Sequence, residues 1–167
     1  REILVRRYEH IASLEAQIAN LNQLLRDVAK EHEACGRLQK IPGVGVLGAT
    51  ILLAVAGAAK EFKNGRQFAA YLGLVPRQHS TGGKPRLLGI TKRGDSYVRT
   101  ILIHGARSVL WSMQRGHSPL GPGAAGVWLA QLVERRGMPK ACVALANKMA
   151  RIAWSMLARG EEYRMTA

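Results

Sequence analysis

Ser80 lies in a segment, residues 72–99, that is rich in glycine and in positive charge, and its hydroxyl could act as a nucleophile. Gly82 and Gly83 follow closely, and Asp95 is the one carboxylate of the segment. Glycine lets a bulky anion approach the backbone, and cations offset charge that develops during displacement at phosphorus. The cations of the segment are Arg77, Lys84, Arg86, Lys92, Arg93 and Arg99. The pattern suits attack on a phosphodiester, but from the residues alone the simpler interpretation is a loop that only binds phosphates, with Ser80 an ordinary turn residue.

The segment offers little help to a serine nucleophile. His79 is the neighbouring candidate base, but adjacent residues of an extended loop point in opposite directions, so an exposed loop histidine is the simpler interpretation. The carboxylates of the chain form no pair or triad that could hold Mg²⁺ for two-metal phosphoryl transfer. The sequence therefore predicts that the chain cannot activate Ser80 alone.

Composition indicates a nucleic-acid partner. The chain has 25 Lys and Arg against 11 Asp and Glu, a net charge of +14, and a pI near 10.7. Aromatic residues are 5% of the chain, which favours contact with the phosphate backbone over base stacking. Cys35 and Cys142 have no paired spacing, which is typical of a reduced cytoplasmic protein and excludes a disulfide framework or zinc knuckle. No segment is apolar for long enough to span a membrane.

The first domain is predicted to be a coiled-coil helix in residues 1–35. Residues 2–33 contain no proline or glycine, and apolar residues recur at alternating steps of three and four, with Arg7 in the remaining position. These residues are Leu4, Ile11, Leu14, Ile18, Leu21, Leu25 and Val28. We expect a homodimer or higher oligomer through this helix; the alternative is a hairpin packed on its own domain. The helical pattern is already under way at Arg1, so we expect a fragment of a longer protein.

The second domain, residues 36–167, is predicted to begin with a helix-hairpin-helix. Gly36 should interrupt the first helix, and the string Ile-Pro-Gly-Val-Gly at 41–45 should separate a short helix from one at about 46–57. Gly43 and Gly45 would then leave backbone N–H groups free to bind a phosphate at a helix N-terminus. The alternatives are a plain helical hairpin, or a packing element whose DNA-binding role is lost.

The remaining elements make the predicted fold mainly α. We expect helices at about 64–72 (with Asn64 as N-cap), 95–115, 127–136 and 140–159, and a loop or small β-hairpin around Ser80. The last helix is predicted to have two faces. Its apolar residues share one arc: Cys142, Leu145, Met149, Ile152, Ala153 and Met156. A stripe of positive charge lies within a separate arc of about 100°. Its members are Lys140, Lys148, Arg151 and Arg159. Such a stripe is either a solvated face or a surface for phosphates, with Lys148 and Arg151 as candidate ligands.

The order of motifs resembles the C-terminal half of DEDD-type insertion-sequence transposases, whose relatives are directed by a bridge RNA. After the coiled-coil pattern and the I-P-G-V-G string come L-G-L-x-P, H-S-T-G-G-K, G-I-T-K-R-G and V-R, then the closing A-x-x-x-A-N-K-M-A-R-I-A-W helix. The resemblance covers essentially the whole chain, and the motifs around the serine and in the last helix are specific.

The resemblance implies that Ser80 is a nucleophile that becomes covalently linked to DNA. It also implies dimerisation by the coiled coil and an absent RuvC-like domain that supplies four acidic residues and binds Mg²⁺, so this fragment should be inactive alone. Lys84, Arg86 and Lys92, with Arg93 beside them, would steady the phosphate, and Arg99 could reach the same site. DNA is the expected partner, with a guide RNA as a further candidate, in the bacterial nucleoid.

Two other interpretations remain open from the sequence. One is a non-catalytic basic helical module that grips DNA or structured RNA and dimerises. The other is a Holliday-junction or repair accessory protein built on the helix-hairpin-helix, which would leave the serine segment unexplained.

Overall fold

The computed structural model describes residues 1–80 and 86–164, and within them the fold is mainly α-helical, as expected. Helices and a small antiparallel sheet follow one another along the chain. They are α1 (Glu2–Glu31), α2 (Glu33–Leu38), α3 (Val46–Ala56), α4 (Gly65–Tyr71), β1 (Pro76–Gln78), β2 (Leu87–Ile90), α5 (Ser96–Gln114), α6 (Ala124–Arg136) and α7 (Met138–Arg159). None of the described helices is long and apolar enough to cross a membrane.

Helix α7 forms the centre of the core and packs against α2, α3, α4, α5 and α6. Its apolar arc is buried as the sequence predicts, and Leu145, Met149 and Met156 are each at most 3% exposed. Burying one such side chain contributes about 1.5–3 kcal/mol. The opposite face of α7 stays accessible and carries the cationic stripe, with Arg151 and Arg159 exposed.

Two helix starts are fixed by side-chain caps. The Asn64 carboxamide oxygen accepts a hydrogen bond from the Gln67 amide at 3.0 Å, which confirms the predicted cap of α4. The Asp95 carboxylate accepts from the amides of Tyr97 and Val98 at 2.8 and 3.1 Å and so starts α5. Each such cap is worth about 1 kcal/mol.

Four boundaries differ from the sequence prediction. The first helix ends at Glu31, and the break falls at His32, whose backbone is extended (φ −110°, ψ 105°). Gly36 does not interrupt a helix but lies inside α2, where burial of Cys35 and Leu38 outweighs its low helix propensity. Helix α6 begins at residue 124, with Gly123 as its N-cap, and α7 begins at residue 138, both earlier than expected. Pro139 does not delay α7, because proline is tolerated in a first helical turn.

The turn between α2 and α3 packs tightly against α5. Gly43 has φ +86°, and a Cβ there would lie 2.6 Å from the carbonyl oxygen of Gly105. A Cβ on Gly105 would in turn overlap the carbonyl oxygen of Gly43. The two glycines therefore let the turn and α5 meet backbone to backbone, which is a packing role for Gly43.

Most of helix α1 projects away from this core. Among its described residues, Ala29 is the buried one; Leu25 of the apolar seam is half-buried, and the other seam residues are exposed, from 43% at Leu14 to 74% at Leu4. A seam this open on a 30-residue helix is consistent with the predicted coiled coil, which stays a prediction.

Candidate functional site

Ser80 lies just beyond β1, on an exposed β-hairpin, which confirms the predicted small hairpin. Strands β1 and β2 are antiparallel, with Pro76 opposite Ile90 and an irregularity before Gln78. Beyond the strands, the His79 amide donates to the Arg86 carbonyl oxygen at 2.9 Å. The pairing therefore reaches the residue before Ser80, and it brings Arg86 to the same end of the hairpin.

The Ser80 hydroxyl is accessible and already oriented by a neighbour. Gln78 Nε2 donates a hydrogen bond to Ser80 Oγ at 3.0 Å. Residues two apart lie on the same side of extended chain, so Gln78, and not His79, shares the Ser80 side. Ser80, Arg77 and Arg86 are all exposed, so a large anion could reach the hydroxyl from solvent.

The base of the hairpin is held by close backbone contacts. The Lys92 amide donates to the Gly73 carbonyl oxygen at 3.2 Å, and the Thr91 amide donates to the Val75 carbonyl oxygen at 2.8 Å. Gly73 and Gly94 both have positive φ, of 70° and 77°. A Cβ on either would overlap a carbonyl oxygen across the junction, that of Arg93 for Gly73 and that of Tyr71 for Gly94. The glycines of the L-G-L and K-R-G motifs therefore join α4 to the start of α5.

Arg99 belongs to this junction. Its Nη1 donates to the carbonyl oxygens of Leu72, Arg93 and Asp95, at 3.1, 3.3 and 3.4 Å. Three carbonyl acceptors hold the guanidinium on the backbone on both sides of the hairpin. The structure thus gives Arg99 a positioning role, and a direct contact with phosphate stays a prediction.

The predicted phosphate-binding cations are not all assembled around Ser80. Arg86 lies at the Ser80 end of the hairpin, whereas Lys92 and Arg93 lie at its base. Arg86 and Lys92 are six positions apart, which is ~20 Å in extended chain. Lys92 also has an unusual backbone conformation, with φ +56°. Gly82, Gly83 and Lys84, and the neighbouring hydroxyl of Thr81, lie outside the described residues.

Lys148 and Arg151 lie elsewhere, on the cationic face of α7. This face lines an open groove of about 1050 Å³ that also touches the hairpin base at Leu74, Pro76 and Ile90. Lys148 Nζ lies 4.8 Å from the ring centroid of Trp128, a cation–π contact. The stripe recognised in the sequence therefore adjoins the serine hairpin in three dimensions.

Gly45 is the N-cap of α3 and is exposed, with no side chain capping the helix within the described residues. Amides of its first turn remain open to an external acceptor, so phosphate binding by Gly45 stays a prediction. Gly43 is half-buried against α5 and is less accessible to a ligand.

Sequence reasoning missed two residues that position the hairpin. One is Gln78, which the two-residue period of a strand could have identified. The other is Asn147, whose Nδ2 donates to the Leu74 carbonyl oxygen at 3.1 Å and links α7 to the residues that precede β1. No local sequence signal joins positions 73 residues apart.

The described residues do not fit a divalent-metal site. No group of three or more His, Cys, Asp or Glu side chains comes together in the described chain. Asp95, the carboxylate nearest to the hairpin in sequence, is used as a helix cap. We therefore derive no chemical step through a metal bound to these residues.

Fold and site together define a basic, mainly α-helical domain with an exposed serine hairpin beside a cationic groove. Residues 35–119 match the transposase family described as IS116/IS110/IS902, and the chain belongs to that family. The match includes the turn at 41–45, the hairpin and all of α5.

Individual relatives extend the similarity beyond the family match. The chain is 47% identical, over 160 residues, to the transposase for insertion sequence element IS1111A of Coxiella burnetii. It is 45% identical, over 163 residues, to a probable family 20 transposase of Pseudomonas aeruginosa. These alignments cover 96% and 98% of the chain but 43% and 47% of the relatives. The chain thus spans about half the length of the curated relatives that it matches.

Proposed function

We propose that this chain is the part of a DNA transposase that supplies a serine nucleophile, Ser80, for strand cleavage and exchange. The observation that carries the proposal is the placement of Ser80 Oγ on an exposed hairpin, oriented by Gln78 at 3.0 Å. Arg77 and Arg86 are exposed on the described part of the same hairpin, where no residue carries a carboxylate. Membership of a transposase family supports DNA as the substrate.

In the proposed reaction Ser80 Oγ attacks the phosphorus of a DNA phosphodiester. An Oγ–P bond forms while the bond from phosphorus to one deoxyribose oxygen breaks, and the serine proton passes to that leaving oxygen. The phosphoserine bond conserves the energy of the broken phosphodiester. A deoxyribose hydroxyl of the exchanged strand then attacks phosphorus and forms a new phosphodiester. The Oγ–P bond breaks, and the proton of the attacking hydroxyl passes to Ser80 Oγ, which restores the serine.

Arg86 is the described cation best placed to offset charge on the phosphate, because it lies at the Ser80 end of the hairpin. Arg77 lies on the opposite strand of the same hairpin. Lys92, Arg93 and Arg99 would act at the base, where they fix the hairpin on α4 and α5. Lys84 lies outside the described residues, so its proposed role as a phosphate ligand rests on the sequence pattern alone.

Activation of the serine and assembly of the complex require other parts of the transposase. We propose that a RuvC-like half supplies acidic residues and Mg²⁺, since the described residues of this chain do not fit a metal site. The exposed seam of α1 would join two copies, which could bring one chain's serine to another chain's acidic site. A guide RNA is a further proposed partner.

Replacement of the serine tests the proposal in the transposase that carries this chain. Ser80→Ala should abolish strand exchange while leaving folding and DNA binding unchanged. Ser96→Ala is the matched control, because Ser96 is also an exposed serine of the segment but lies in the first turn of α5. Strand exchange that persists in Ser80→Ala would overturn the assignment.

A second candidate function is a non-catalytic module that grips nucleic acid. The cationic groove favours it, because the groove lies on α7 and does not include Ser80. Under this alternative Ser80→Ala would change neither binding nor recombination, whereas loss of charge on α7 would weaken binding.

A further inference from the structure

The groove beside the hairpin is built by four parts of the chain. Helix α7 forms its floor, and the start of α4, with Asn64 and Arg66, forms one wall. The base of the hairpin and Trp128 of α6 complete it. The hydrogen bond from Asn147 Nδ2 to the Leu74 carbonyl oxygen, 3.1 Å long, ties the floor to the hairpin.

All charged residues in the described lining of the groove are cations. Its cations are Arg66, Lys140, Lys148, Arg151 and Arg159, and no carboxylate is among the lining residues. Arg159 forms an ion pair with Glu161 at 3.5 Å, beyond the end of α7. Arg66, Lys140 and Arg151 form no ion pair within residues 1–80 and 86–164. Unpaired cations along a concave surface attract a polyanion and hold it by counterion release.

The dimensions of the groove suit an extended chain. Lys140 and Arg159 lie 19 positions apart on one helix, which is ~28 Å at 1.5 Å per residue. A single strand laid along the groove would pass its cations one after another.

The groove also presents apolar surface between its cations. Pro76, Ile90, Trp128 and Ile152 line it together with the charged residues. A single strand offers both phosphates and the faces of unpaired bases, so it can satisfy both kinds of lining. A duplex offers mainly phosphates and sugars along its outside.

We propose that this groove binds a single strand of DNA and delivers it to the hairpin that bears Ser80. The inference rests on the proposed function, since it names the form of the substrate that this part of the chain holds. Arg66, Lys140 and Arg151 are the groove's phosphate contacts, and Trp128, steadied by Lys148, is its apolar wall.

The test is a binding titration with Ser80→Ala protein, which cannot form the covalent bond. The probes are a labelled DNA strand of mixed sequence, about 30 nucleotides long, the duplex and the RNA strand of the same sequence, across a salt series. Lys140→Gln/Arg151→Gln removes two groove cations. Arg135→Gln/Arg136→Gln removes two exposed cations of α6 that do not line the groove, and is the matched control.

The groove variant should bind the DNA strand roughly tenfold more weakly, with its log–log salt slope reduced by about 1.4, which is 0.7 for each lost phosphate contact. The control variant should bind the DNA strand less than about threefold more weakly than the parent protein. Equal losses in the two variants, a loss confined to the duplex, or tighter binding of the RNA strand by the parent protein would overturn the proposal. Because every protein in the series lacks the serine hydroxyl, these results do not depend on whether Ser80 is the nucleophile.

Discussion

Gly94 occupies a position in which any larger residue meets the backbone of α4. Its φ is +77°, and a Cβ at this position would overlap the Tyr71 carbonyl oxygen. Gly89 on β2 is the matched comparison, because a Cβ there meets nothing within 4 Å. We expect Gly94→Ala to lower the free energy of unfolding by more than about 2 kcal/mol, combining a positive-φ penalty with displacement of the chain.

Urea denaturation of the two variants measures this difference. Gly89→Ala should lie within about 0.5 kcal/mol of the parent, as is usual for an exposed, unconstrained site. Equal stability of Gly94→Ala and Gly89→Ala would mean that the junction between α4 and α5 is not packed as described.

The two cysteines should be unreactive in the folded protein. Cys35 and Cys142 are 0% and 5% exposed, and burial raises the pKa of both thiols, although Arg107 opposes the rise at Cys142. A raised pKa keeps the thiol protonated at neutral pH, so the nucleophilic thiolate is scarcer than in an unfolded chain. Alkylation at neutral pH should be slow and should accelerate severalfold in denaturant; fast labelling of folded protein would contradict the burial of both side chains.

At the scale of elements, one side-chain hydrogen bond, from Asn147, links α7 to Leu74, two residues before β1. Removing the Asn147 carboxamide leaves the partly buried Leu74 carbonyl oxygen without its donor, a loss of about 1–3 kcal/mol. Asn147→Asp preserves the shape but replaces the donor with a carboxylate, so it should be at least as damaging as Asn147→Ala. Thermal denaturation measures the loss, and unchanged stability in both variants would show that the hydrogen bond contributes nothing.

Helix α1 provides the second test at this scale. Ile18→Glu/Leu21→Glu places two charges in the exposed apolar seam, and should convert the proposed dimer to monomer because each seam residue contributes about 1.5–3 kcal/mol when buried. Ala16→Glu/Gln23→Glu adds two carboxylates on the opposite face of the same helix and is the matched control. Light scattering during size-exclusion chromatography gives the mass, and a monomeric parent would refute the coiled coil.

Periodic and capping signals predicted these elements well. The cap at Asn64, the start of α5 at Asp95 and the apolar arc of α7 each depend on residues close together in sequence, so local rules suffice. Gly36 misled the prediction because its cost in a helix is small beside the burial of Cys35 and Leu38.

At the scale of the whole molecule, long-range contacts decided what the sequence could not. The serine segment and the stripe of α7 were both recognised, but their adjacency comes from the packing of α4 on α7 and from the hydrogen bond between Asn147 and Leu74. Arg99 had the right charge for a phosphate ligand, yet its guanidinium is held by three backbone carbonyls. The sequence gives the charge of a side chain, whereas the groups that bind it are known only from the folded structure.

The net charge of +14 makes salt-sensitive binding of nucleic acid an expectation of every account of this chain, so binding alone does not test its chemistry. The serine does. Covalent trapping addresses it in the complete transposase, incubated with donor and target DNA and any guide RNA, then denatured and analysed by peptide mass spectrometry.

The serine mechanism predicts a nucleotide adduct on the peptide that contains Ser80, present in the parent and in Ser96→Ala but absent in Ser80→Ala. Strand exchange without any adduct on that peptide would contradict it. The chemistry would then belong to another part of the transposase, and this chain would be a module that binds nucleic acid.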